Sequence, residues 1–171
     1  MSTIEMIHHR LEIYTATQCW RGDVNTPSMR RLSDFFNDQM HEFFNLTAAT
    51  LLSLHKGIAV EEATFPAVSL HQKTVIAVVR TVDPSPVKAD SLQRVQKQPF
   101  AIQVHAPPFV IDGKLHLLSG GQMFETIDAA RQNFIPLTDG MISMEGMSLL
   151  PLPAELVLVN RQWMSAFRAL A

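Results

Sequence analysis

Seven histidines, one cysteine and the adjacent pair Arg30-Arg31 are the side chains whose chemistry comes first into question. The histidines are scattered. His8 and His9 are neighbours on an expected strand, so they point to opposite faces and cannot share one metal ion; both are expected at the surface. His105 and His116 flank Asp112-Gly113, and a two-residue turn there would set His116 opposite Phe109, out of register with His105. His41, His55 and His71 fall in connections or at strand ends, where an exposed imidazole needs no special reason. No metal site is therefore expected. The single Cys19 has no disulfide partner within the chain and is expected as a small, partly buried hydrophobe in a strand. Ser119-Gly120-Gly121 lacks the lysine and the strand-to-helix spacing of a phosphate-binding loop, and no Gly-x-Ser-x-Gly elbow is present. These residues assign no catalytic group and no cofactor, and the chain is expected not to be an enzyme. Only Arg30-Arg31 has the form of a phosphate clamp, since two guanidinium groups can share one anion. The plainer reading is a pair of solvated charges beside a helix, and it applies equally to Lys88, Arg94 and Lys97.

The overall charge agrees with the plainer reading. A net charge of −2 and a pI near 6.4 supply no long-range field for phosphate backbones or anionic membranes. The hydrophobic fraction of 47% against 18% charged residues is that of a core-rich globular chain. No apolar run reaches the roughly 18 residues of a membrane span. The start, MSTIEMIHHR, has neither a basic lead nor an apolar segment of signal-peptide type, so a cytoplasmic protein without membrane contact is expected.

What would position these residues is a pattern that occurs twice. Met29–Thr50 aligns without gaps on Gly120–Met141 at an offset of 91, placing Leu32 on Met123, Phe36 on Ile127, Phe43 on Phe134, Leu46 on Leu137 and Thr47 on Thr138. Upstream the same offset pairs Leu11 with Ile102, Ile13 with Val104 and Gly22 with Gly113, while downstream it shrinks to 89 and sets Ala67–His71 on Leu156–Asn160. Strict identities are few; residue class is what repeats. Period-two alternation through Leu11, Ile13 and Thr15, and through Phe100, Ile102 and Val104, predicts strands. Arg21-Gly22 and Asp112-Gly113 are the expected turns, with Pro107 and Pro108 at an edge or bend. Leu32, Phe35, Phe36 and Met40 have helical spacing, and Ser119 with Gln122 has that of a capping box. So short a helix would form only by docking on the adjoining sheet. Phe43–Leu54 and Phe134–Met144 read as long third strands, apolar on both faces and expected to be the most buried. Connections follow at Gly57–Thr64 and Glu145–Leu149. Then come two short strands, 67–70 and 74–80, echoed at 156–159 and 163–167. Pro84, Pro86 and Pro99 mark a linker, in which Ser91–Lys97 could form one helical turn. The resulting division is a first module, 1–80, a linker, 81–98, and a second module, 99–171, packed together.

Five short strands with a tight turn between the last two resemble the small Sm-like and SH3-like β-barrels, most closely in the segment Glu155–Phe167. The resemblance implies a mainly β fold of two tandem copies of an about five-stranded barrel or half-barrel. A short helix stands between the second and third strands of each, where an Sm-like chain runs on directly. It also implies a nucleic-acid or nucleotide site, with Asn45 at the position of the Sm asparagine beside Arg30 and Arg31; Pro136 stands at the second copy's equivalent of Asn45. The pattern Arg-Leu-Ser-Asp-Phe-Phe-Asn at 31–37, followed by Phe43-x-x-Leu46-Thr47, is similar to an uncharacterised group of bacterial proteins, which implies no activity. Two functions follow as expectations. The first is an interaction or scaffold protein whose edge strands or apolar patches meet a protein partner or a second copy. The alternative is an Sm-like nucleic-acid or nucleotide binder, less favoured because the basic residues do not repeat.

Overall fold

The computed structural model describes residues 5–38, 40–55, 58–81, 97–144 and 152–170. Alternation of buried and exposed side chains runs without interruption through Phe109–Leu118, from Phe109 through Ile111, Gly113 and Leu115 to Leu117, which places one apolar row on the core side of a strand. Strands of this kind make the protein mainly β. In chain order they are β1 (Met6–Tyr14), β2 (Gln18–Pro27), β3 (Phe43–His55), β4 (Ile58–His71), β5 (Ala77–Thr81), β6 (Lys97–Ala106), β7 (Phe109–Leu118), β8 (Phe134–Met144), β9 (Leu152–Asn160) and β10 (Ala166–Ala169). Two short helices, α1 (Leu32–Phe36) and α2 (Met123–Asp128), follow β2 and β7, as the spacing of their apolar residues predicts. All ten strands form one antiparallel sheet in the order β10-β6-β7-β8-β9-β5-β1-β2-β3-β4.

Each half contributes its strands in the same order, fifth, first, second, third, fourth, and the pairing repeats at the offset of the sequence. Leu11 faces Gly22 as Ile102 faces Gly113. Both β2 and β7 shift register against the following strand, between Arg21 and Asp23 and between Asp112 and Lys114. The extra residue lies in β3 or β8 and takes positive φ, 46° at Ala48 and 49° at Asp139, making a bulge that bends the long strand. Phe43 faces His71 and Phe134 faces Asn160, and both fourth strands end in a single 3-10 turn, Gln72–Thr74 and Arg161–Trp163. His71 and Asn160 cap these turns by accepting from the amides of Lys73 and Gln162.

Several expectations are corrected. Arg21-Gly22 and Asp112-Gly113 lie inside β2 and β7. The reversals fall at Thr15–Thr17, where the Thr15 amide donates to Gln18 O at 2.9 Å, and at the cis pair Pro107-Pro108, a bend as expected. The glycines serve packing: a Cβ on Gly22 would stand 2.8 Å from Leu46 Cδ2, and one on Gly113 2.9 Å from Leu137 Cβ. His116 accordingly faces Pro99, and His105 faces Val110. Met40 is outside α1 and exposed. Gln122 caps α2 with no side-chain bond, so no capping box forms. Residues 58–64 are strand, Lys97 and Gln98 begin β6, and the last strand of each half starts about one 3-10 turn later than expected because Gln72–Thr74 and Arg161–Trp163 wind into that turn first. Most of the linker (82–96) and 145–149 lie outside the described residues.

The most buried strands are not the third ones. They are β5 and β9, which join the halves: Ala77 pairs with Val159, Val78 with Leu158 and Val79 with Val157. Val78 and Leu158 enter the core cluster of Leu11, Ile13, Phe36 and Leu46, whereas Ala77, Val79, Val157 and Val159 enter the one around Ile102, Ile111 and Leu137. Both faces of this strand pair are thus covered, and each Val or Leu so buried contributes roughly 1.5–3 kcal/mol. β3 by contrast alternates, with Phe43, Asn45 and Thr47 exposed beside buried Phe44 and Leu46.

Candidate interaction surface

Arg30, Arg31 and Asn45 follow from the sequence as a possible anion site, and the structure engages two of them elsewhere. The Arg30 guanidinium donates to the Asp38 carboxylate at 2.8 Å and to Asp34 O at 3.1 Å, with its carbon 5.8 Å from the centroid of the Phe35 ring. That hydrogen bond holds the Asp38 carboxyl below its usual range. Asn45 lies exposed on β3 and its Oδ1 accepts from the Ser69 hydroxyl across the strand pair at 2.6 Å. Arg31 is exposed in extended backbone at the cap of α1. Among the described residues, no hydrogen bond joins Asn45 to either arginine.

The best-connected polar cluster has another location, and only the alternation of β1 hinted at it. Glu12, nearly buried, accepts from Tyr14 Oη at 2.7 Å and from Arg21 Nε and Nη2 at 3.0 and 2.7 Å. Burial raises the pKa of both the Tyr14 phenol and the Cys19 thiol, so each stays protonated. Cys19 is the buried strand hydrophobe expected, and its thiol is inert. His9, expected at the surface, is also buried and bonds to Thr26 Oγ1 at 2.9 Å, while His8 remains exposed beside Asp23. Every group in these clusters has a partner, which suits a structural role. No group of three or more His, Cys, Asp or Glu side chains is placed to hold a metal ion among the described residues.

The buried Ser53 Oγ and Arg80 Nε lack partners among the described residues, and main-chain edges with apolar side chains exposed beside them lie at the two ends of the sheet. Among the described residues, β4 and β10 each pair on one side only. Along β4, Phe65, Pro66, Ala67 and Ser69 are exposed, and Pro66 has no amide to offer there. Beside β10 lies an open groove of about 410 Å³, lined by Phe124, Ile127, Asp128, Arg161, Met164 and Phe167 among others. Phe124 is 66% exposed and its ring stacks on that of Phe167, centroids 6.1 Å apart. At the far end of the molecule Phe43 is 51% exposed against the ring of His71. Sequence periodicity misses this surface because Phe43 and Phe124 each fall on an apolar pattern that would ordinarily face a core.

No family model matches the chain, and neither a curated protein nor a solved structure shows significant similarity to it. No helix among the described residues is long and apolar enough to cross a membrane.

Proposed function

We propose that this chain is a non-enzymatic interaction or scaffold protein, built from a duplicated small β-barrel module of Sm-like or SH3-like type, that works by adding a partner's strand to its sheet. The observation that carries this reading is the pair of edge strands, β4 and β10, that no described residue covers, with apolar side chains exposed beside each. An uncovered edge offers a row of main-chain donors and acceptors, and natural proteins usually blunt such rows unless they are used. The repeated strand order and paired bulges support the duplication. The Arg30–Asp38 pair weakens the alternative of a nucleic-acid or nucleotide binder, because an anion would have to displace the carboxylate.

Affinity capture from an extract of the source cells tests the reading, with wild type compared against Ser69→Pro and Arg168→Pro edge variants that remain folded by circular dichroism. Proteins retained by wild type and lost from one or other variant are expected. A retained set indifferent to both edges would contradict the proposal. Retention of RNA, abolished in Arg30→Ala/Arg31→Ala, would establish the alternative instead.

A further inference from the structure

The groove beside β10 has a filled counterpart within the same chain. By the offsets of 91 and 89, its residues Ile127, Asp128, Arg161, Met164, Ala166 and Phe167 correspond to Phe36, Asn37, Gln72, Val75, Ala77 and Val78. In the first half every one of these meets the end of β8 or β9. Phe36 packs edge-on against Phe134, ring centroids 6.0 Å apart. The Asn37 amide donates to Phe134 O at 2.9 Å and accepts from Phe134 N at 2.7 Å. Asn160 Nδ2 donates to Val75 O at 2.8 Å and to Gln72 O at 3.4 Å, and Ala77 and Val78 pair with Val159 and Leu158. The residues that fill this first groove, Phe134, Leu158, Val159 and Asn160, themselves correspond to Phe43, Ser69, Leu70 and His71 at the other end of the molecule. Phe134 is fully buried, whereas Phe43 is half exposed. Among the described residues, each chain therefore carries one unfilled groove and one unused copy of what fills such a groove.

We propose that the groove beside β10 receives the β3–β4 end of a second copy of this chain, repeating between molecules the β5–β9 junction that exists within one. This rests on the reading of the sheet edges as pairing surfaces and names their partner. Carrying the internal register across predicts Ala166 opposite Leu70, Phe167 opposite Ser69, Arg168 opposite Val68 and Ala169 opposite Ala67 of the neighbour. Phe43 enters under α2, where the Asp128 carboxylate can accept its amide proton as Asn37 accepts that of Phe134. The contact joins two different surfaces, so it is head-to-tail and continues until it closes a ring or remains an open chain. It is weaker than the internal junction for two reasons. A carboxylate cannot donate to the Phe43 carbonyl as the Asn37 amide donates to Phe134 O, and Ala67 and Ser69 stand where the internal junction has Leu156 and Leu158. Association is accordingly reversible and dependent on concentration.

Cysteine cross-linking of the full chain tests both partner and register. Ala67→Cys and Ala169→Cys are exposed positions predicted to lie opposite each other in different molecules, and native Cys19 is buried out of reach. Val68→Cys with Arg168→Cys probes the adjacent pair of the ladder. Under mild oxidation an equal mixture of Ala67→Cys and Ala169→Cys should yield a disulfide-linked dimer, each variant alone should stay uncross-linked, and the double variant should give a ladder of multimers. Cross-linking of either single variant alone would show like edges meeting and overturn the head-to-tail arrangement. Absence of cross-links in both mixtures, with the thiols freely alkylated, would overturn pairing between copies. Edge-dependent capture of a different protein would then leave the interaction reading standing, whereas loss of both results would remove it as well.

Discussion

Gly22 and Gly113 show how closely single residues determine this sheet. Each lies where the bulged strand presses a leucine against its neighbour: a Cβ would meet Leu46 Cβ and Thr47 O at 3.1 Å at Gly22, and Leu137 Cβ at 2.9 Å at Gly113, atoms that no side-chain rotation removes. Gly22→Ala and Gly113→Ala should each cost about 1–3 kcal/mol, as overpacking in a dense core commonly does; urea denaturation measures both. Asn37 offers a second test. Its amide both donates and accepts at the Phe134 backbone, so Asn37→Asp retains the acceptor but sets a carboxylate against a carbonyl, and a loss of about 1–3 kcal/mol is expected. His9 supplies a pH dependence. Desolvation first, then the nearby charges of Arg80 and His8, depress its pKa below the ordinary value of about 6.5. The native protein thus binds fewer protons than the unfolded chain, and stability present above about pH 6.5 falls as pH drops through the depressed value. Thermal unfolding at about pH 7.5 and about pH 5.5 should show this loss in wild type and a smaller one in His9→Gln, which can still bond Thr26.

Among the elements, the two short helices are too short to persist alone and exist because they dock apolar side chains, Leu32 and Phe36 from α1 and Ile127 from α2. Phe36 is fully buried against Phe44 and Phe134, and Ile127 is buried beneath α2. Phe36→Ala should cost roughly 3–5 kcal/mol and Ile127→Ala roughly 2–5, toward the lower end because Ile127 borders an open groove able to relax. If only one substitution destabilises the fold, the two helices are not equivalent. Both helices were legible in the sequence because Leu32, Phe35 and Phe36 keep the i, i+3, i+4 spacing of a helix face, and Met123 and Ile127 stand at the matching positions of the second half. The turns were only partly legible: Pro107-Pro108 and the connection before each last strand were, and the Arg21-Gly22 and Asp112-Gly113 turns were not. Asp112-Gly113 has the composition of a hairpin, yet its glycine is selected by the approach of Leu137, a contact distant in sequence. Arg30, Arg31 and Asn45 were visible as residue types, but the carboxylate of Asp38 and the hydroxyl of Ser69 that engage two of them could be found only in three dimensions. The groove beside β10 left no local trace, since an unmet apolar surface has the same pattern as a met one.

For the whole molecule, the deciding feature is that its two halves are joined edge to edge through β5 and β9 and leave edges of the same two kinds free. A chain built this way carries on its surface both members of a junction it has already made once. Light scattering coupled to size exclusion, run over a dilution series, tests that account most directly. The account predicts a mass that is a multiple of 19.2 kDa at high concentration, falling toward 19.2 kDa on dilution, and held at 19.2 kDa in Phe43→Glu. A wild-type mass of 19.2 kDa at every concentration would contradict it.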